Sequence, residues 1–187
     1  MKLLLTILAV PILFILSAQD NQYANTYVCQ KGKVHFLSVT AMENIEATTQ
    51  SAVCIINTQT KRVNAKIQQT SFTFHDKLMQ EHFNENYMES DKYPYSVLDM
   101  VIVENIDFTK DGTYDVTLKG TLEMHGVKND REIKGKLIIK NGQLVSATAA
   151  FEVKLADHKI KIPSIVGINI SESVKVDVDF ALQKFQK

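Results

Sequence analysis

Five histidines and two cysteines are the side chains with most to offer a reaction or a metal ion. His75 and His82 stand seven positions apart, with Asp76 and Glu81 close by. On a helix that spacing brings both imidazoles to one side, as a pair of metal ligands requires. The spacing is generic, and no second motif supports it. The chain has no paired metal-binding cysteines, His-Glu-x-x-His run, glycine-rich phosphate loop or nucleophile-elbow serine. His35, His125 and His158 are scattered over strands and loops, and His125 falls on the outward face of an alternating run, where it reads as solvated. No catalytic set and no metal site emerges. The chain reads as a non-enzyme without a resident cofactor.

The cysteines, Cys29 and Cys54, sit on what read as successive antiparallel strands. With the connecting turn placed at residues 41–48, mirroring sets Cys54 opposite His35 or Phe36. Both are then expected as unpaired thiols that pack as small apolar groups. A bond between them would contribute ~3 kcal/mol on the loop-entropy account.

Composition narrows the function classes further. The 187 residues are 45% hydrophobic and 22% charged, with 21 basic and 21 acidic side chains. A neutral chain lacks the clustered positive surface that nucleic-acid binding needs. With 7 Gly and 3 Pro it is also neither collagenous nor linker-rich.

The order at the N-terminus is Lys2, an apolar run from Leu3 to Leu16, then Ser17-Ala18 before polar chain. It is that of a secretory signal, and the run falls short of the ~20 residues of a membrane-spanning helix. Residues 1–18 are expected to be a signal peptide and 19–187 a single exported domain. No membrane span remains after cleavage, and the location is periplasmic or secreted. The sequence leaves a monomer and an oligomer equally open.

Period-two alternation dominates from residue 26 onward, the mark of strands with one buried face. Tyr114, Val116, Leu118, Leu122 and Met124 form one inner row. Ile133, Leu137 and Ile139 form another, Val145 to Leu155 a third, and Val174 to Leu182 a fourth. Asp111-Gly112 and Asn141-Gly142 read as hairpin turns. Less regular strands fall near 27–39, 51–58, 62–74 and 95–107. Two segments depart from this period: Thr40 to Ala47 reads as a short helical turn, and Asp76 to Glu89 as a helix with Leu78, Met79, His82 and Phe83 on one face. Lys159 to Ser171 reads as an apolar loop.

The sum is an all-β fold of about eight antiparallel strands, which closing into a barrel would free of exposed edges. Small residues on the inner rows (Gly120, Gly135, Ala147, Ala149 and Ala65) leave interior volume that no side chain fills. Empty apolar volume is costly unless something occupies it, so the barrel is expected to be hollow.

The run from Leu78 to Pro94, LMQEHFNENYMESDKYP, resembles the signature region of the YceI-like family. Gly120-Thr121-Leu122 with His125-Gly126-Val127, then Phe151-Glu152-Val153, and Asp157 through Pro163 are similar to later family elements in the same order. Leu98-Asp99-Met100 stands where relatives often carry Phe-x-Gly, so Met100 takes up channel space there. The resemblance implies an eight-stranded antiparallel lipocalin-like barrel with a short helix inserted between the third and fourth strands. It implies an exported protein that binds a long-chain isoprenoid or other amphiphilic lipid in an apolar channel.

The expected lining is Phe36 from the first strand and Phe72 and Phe74 from the third. Leu98 and Met100 come from the fourth, and Tyr114, Leu118 and Leu122 from the fifth. Ala149, Phe151, Val153 and Phe180 complete it. Gln69, His82, Tyr87 and Tyr93 are the expected head-group contacts. The partner is a hydrophobic small molecule or lipid, not nucleic acid. Association costs about 4–15 kcal/mol while each buried methylene contributes ~0.8 kcal/mol, which favours an isoprenoid or fatty chain of about twenty carbons over a small metabolite. The alternative is a barrel filled by its own side chains, acting as an envelope interaction module without lipid.

Overall fold

The computed structural model describes residues 23–40, 44–162 and 171–186. The expected signal peptide and positions 163–170 of the apolar loop lie outside them. Eight long strands form the wall: β1 (Thr26–Ser38), β2 (Ile45–Asn57), β3 (Arg62–Gln68), β5 (Tyr95–Ile102), β6 (Gly112–Met124), β7 (Val127–Lys140), β8 (Gln143–Lys154) and β9 (Ser173–Ala181). The two-residue strands β4 (Thr73–Phe74) and β10 (Gln183–Lys184) flank β2 and β1. Every pairing is antiparallel and up-and-down, and β1 closes the barrel by pairing with both β9 and β2. The fold is a closed eight-stranded antiparallel barrel of the lipocalin-like kind.

Turn chemistry explains the joints. Asn141 and Gly142 adopt φ 53° and 66°, the pair of left-handed residues that a tight β7–β8 hairpin requires. His125 and Gly126, at φ 51° and 70°, make the equivalent β6–β7 turn. A side chain at Gly126 would run into the Tyr93 ring. Asp111-Gly112 makes no such hairpin. The β5–β6 connection runs from 103 to 111, and the Asp111 carboxylate accepts the amides of Asn141 and Gly142, each at 2.9 Å. Those two backbone donors hold its pKa below the usual carboxylate value. The Asp-Gly dipeptide thus clamps a neighbouring turn instead of forming one.

The β1–β2 register also departs from the sequence reading. Ile45 and Ala47 are buried strand residues, with Ser38 opposite Ile45 and Phe36 opposite Ala47. The reversal is therefore centred between residues 41 and 42, about three positions before the middle of 41–48, and 45–47 are strand and not helical. Shifting the turn moves every partner, and Cys54 stands directly opposite Cys29. Both are free, buried thiols.

α1 (Lys77–His82) follows β4 and precedes β5. Asp76 caps it, accepting the Met79 amide at 2.8 Å. The helix widens into a five-residue π-helical stretch, Phe83–Tyr87, in which Met88 N donates to Phe83 O. The segment thereby carries Met79, Phe83, Tyr87 and Met88 across one end of the barrel.

Candidate functional site

Exposure along the inner rows shows what the barrel encloses. At the end away from α1, Ile102, Ile139 and Leu144 are each 1% exposed and close the interior. Further up, inward residues of the same rows (Leu98, Leu118, Ala147, Ala149, Phe151 and Val176) are only half-buried, although their neighbours along each strand face out. An inward side chain that keeps accessible surface in a closed barrel faces a void. Two such voids adjoin among the described residues. A cavity of about 140 Å³ lies under α1, and a second of about 90 Å³ lies deeper. Val34, Ile67, Ser96, Leu122, Phe151 and Val176 border both.

The cavity under α1 is framed by four rings. Phe36 meets Phe72 at 5.3 Å and Phe74 at 5.7 Å between centroids, both edge-on, and stacks on Phe83 at 5.5 Å. Such ring pairs add about 0.5–1.5 kcal/mol each beyond the area they bury. They tie α1 to β1 and β4. The polar atoms reaching this space are few. Gln69, 2% exposed, donates its Nε2 to Ser96 Oγ at 2.5 Å. Tyr87 lines the same wall, and burial pushes its hydroxyl pKa up, so it stays a neutral phenol.

The deeper cavity owes its volume to small residues. Gly135 pairs with Ala149 and Leu137 with Ala147 across β7 and β8, and Ala65, Gly135, Ala147 and Ala149 all border the space. At Gly135 a Cβ would come 2.7 Å from the Thr148 carbonyl oxygen, so that glycine also serves close packing of β7 on β8, and Gly120 contributes no room at all. A Cβ there would overlap the backbone of Asp99 and Met100, so glycine permits a close approach of β5 and β6.

A strap, residues 155–160, covers the barrel end that α1 crosses. Leu155 and Ile160 pack with Tyr87, Met88 and Val174 in a buried cluster. The His125 ring, far from solvated, is 10% exposed and holds this corner together. Its Nε2 lies 2.7 Å from Glu89 Oε2, and its Nδ1–H donates to the His158 carbonyl at 3.1 Å. His158 Nδ1–H in turn donates to Val127 O. The strap is thus tied to the β6–β7 turn by side chains on three segments.

Of the residues singled out in the sequence, Phe36, Phe72, Phe74, Leu122, Phe151 and Val153 line the cavity under α1. Leu98, Leu118, Ala149 and Phe180 line the deeper one. Met100 and Tyr114 line neither: Met100 is 1% exposed within packed core, and the Tyr114 hydroxyl donates to Lys110 O at the loop. Gln69 and Tyr87 reach the cavity wall. His82 and Tyr93 do not; Tyr93 packs edge-on against His125 instead. Ile67, Met79, Met88, Met124 and Val176 line the space without having been named as lining. Val176 and Met124 were legible from their alternating rows, whereas Met79 and Met88 reach the space from α1 and the end of the π-helical stretch. Among the described residues no group of three or more His, Cys, Asp or Glu lies together as a metal site needs, and no helix is long and apolar enough to cross a membrane.

A family model described as the YceI-like domain matches residues 27–182. No curated protein sequence matches the chain. Among solved structures, a polyisoprenoid binding domain from Saccharophagus degradans aligns at TM-score 0.68 and 14% identity, covering 87% of this chain and 99% of that one. BcnA of Burkholderia cenocepacia aligns at TM-score 0.61 and 15% identity over 81% of this chain and 95% of its own. The YceI protein of Campylobacter jejuni aligns at 0.58 and 17%, over 81% and 89%. These likenesses are likenesses of fold.

Proposed function

The chain belongs to the YceI-like family, and on that footing we propose that it is an exported binding protein, periplasmic or secreted. Its ligand is a long-chain isoprenoid or similar amphiphilic lipid, held in the barrel for transport, storage or sequestration. The role is binding, not catalysis, and the lipid is cargo, not a cofactor. The observation that carries this reading is the hollow: inward rows that keep accessible surface around two adjoining apolar cavities. The Saccharophagus degradans structure, a polyisoprenoid binding domain by its description, supports the ligand class.

An apolar cavity of about 150 Å³ accommodates a benzene-sized molecule, so the two spaces together seat only part of a twenty-carbon tail as they stand. A longer tail takes further room from the unbranched side chains of Met79, Met88 and Met124, which re-pack at low cost. The Gln69–Ser96 pair and the Tyr87 hydroxyl offer the polar contacts within this apolar wall.

Affinity should therefore follow tail length. In a titration of prenyl alcohols of increasing length, each added isoprene unit is expected to tighten binding at least ~tenfold until the hollow is full. Affinity independent of length, or absent for all of them, would favour a filled interaction module.

A further inference from the structure

The two cysteines serve neither the hollow's polar contacts nor its ring cluster, yet the fold sets them face to face. Cys29 on β1 and Cys54 on β2 are direct partners in the antiparallel register. Residues so opposed have Cα atoms about 4.5–5.5 Å apart, inside the ~4.4–6.8 Å that a disulfide spans. Both side chains turn to the inner face, at 4% and 0% exposed.

The place is also where the closing seam is irregular. The β1–β2 register shifts twice, between Cys29 and Gly32 and between Gly32 and Val34. Over the same stretch β1 changes its other neighbour, from β9 at Lys33–Leu37 to β10 at Tyr27 and Val28. A covalent link beside these shifts would fix the seam where the ladder does not.

We propose that Cys29 and Cys54 form an intramolecular cross-strand disulfide by exchange with an oxidised-dithiol donor. One cysteine thiolate attacks a sulfur of the donor disulfide, giving a mixed disulfide and a donor thiolate. The second cysteine thiolate attacks the cysteine sulfur of that mixed disulfide and expels the other donor thiolate. The pair loses two electrons and two protons; the donor gains both and leaves reduced, as a dithiol or, for glutathione disulfide, as two separate thiols. Exchange precedes barrel closure or needs the seam to open. In the closed barrel, burial and the adjacent Cys29 push the Cys54 thiol up to about 12, leaving little thiolate to react. Cys54 borders the deeper cavity, but the inference rests on the strand register and not on what fills that space.

The test is to unfold the reduced protein, refold it in a glutathione redox buffer, and alkylate it in denaturant before mass measurement. The expected product is a monomer that takes no label and is lighter by two hydrogens than the reduced chain left unalkylated, whereas the dithiothreitol-treated chain takes two labels. It should melt about 5–10 °C higher than the reduced form. Cys29→Ala should take one label and melt at a temperature indifferent to dithiothreitol. Two labels per wild-type chain, covalent dimers, or a melting temperature unmoved by reduction would each overturn the proposal.

Discussion

Ala149→Trp is expected to weaken binding of a twenty-carbon prenyl alcohol by about 1000-fold while leaving the barrel folded. Ala149 lies half-buried on the inner row of β8, opposite Gly135, and borders the deeper cavity. An indole there fills the space that small residues on both strands leave open. A tail stopped at that level forgoes about five buried carbons, or ~4 kcal/mol at ~0.8 kcal/mol each. The ring enters existing void, so overpacking is relieved and folding survives. Ala150→Trp is the matched control: Ala150 is exposed and pairs with Asp177 on the outer face. Calorimetric titration of both variants, with circular dichroism to verify the fold, checks the expectation. Equal affinities for the two would show that Ala149 does not face the ligand.

Phe36→Ala is expected to cost at least ~3 kcal/mol of stability, a fall of roughly 6–12 °C in Tm. Phe36 touches three other rings, and one of them, Phe83, belongs to the segment that follows α1. Phe72–Phe83 and Phe74–Phe83 contacts remain in the variant, so α1 should stay docked but less firmly. The methyl side chain enlarges a cavity that already exists, and the collapse that softens many such substitutions has little to collapse onto. Denaturant unfolding measures the loss, and hydrogen exchange over 77–88 should quicken more than exchange in β6 and β7. A loss below ~1 kcal/mol would mean that the ring cluster does not anchor the segment.

The period-two rows of β6, β7 and β9 were readable in the sequence because solvent on one side and apolar interior on the other force alternation. The emptiness of the middle was readable from Ala147, Ala149 and Gly135 for the same reason. What escaped was what one strand cannot encode alone. The bulge between Ile138 and Ile139 turns Leu144 inward in place of Val145, and nothing in the local alternation announces it. Thr40 to Ala47 has the residues of a helical turn, which would move the hairpin centre and part Cys29 from Cys54; the strand pairing of Ile45 and Ala47 sets the two cysteines opposite. Asp111-Gly112 has the chemistry of a turn but spends its carboxylate on the next one. His125 looked solvated because its partners, Glu89 and the His158 carbonyl, are over thirty residues distant. Met100 follows the inner alternation, yet β5 and β6 pack it into core below the void.

The most direct measurement is a crystal structure of the protein incubated with the twenty-carbon prenyl alcohol. Continuous tail density should run from the Gln69–Ser96 pair, past Phe151 and Leu122, to Ala149. An interior filled throughout by the protein's own side chains, with no tail density between those points, would contradict the account.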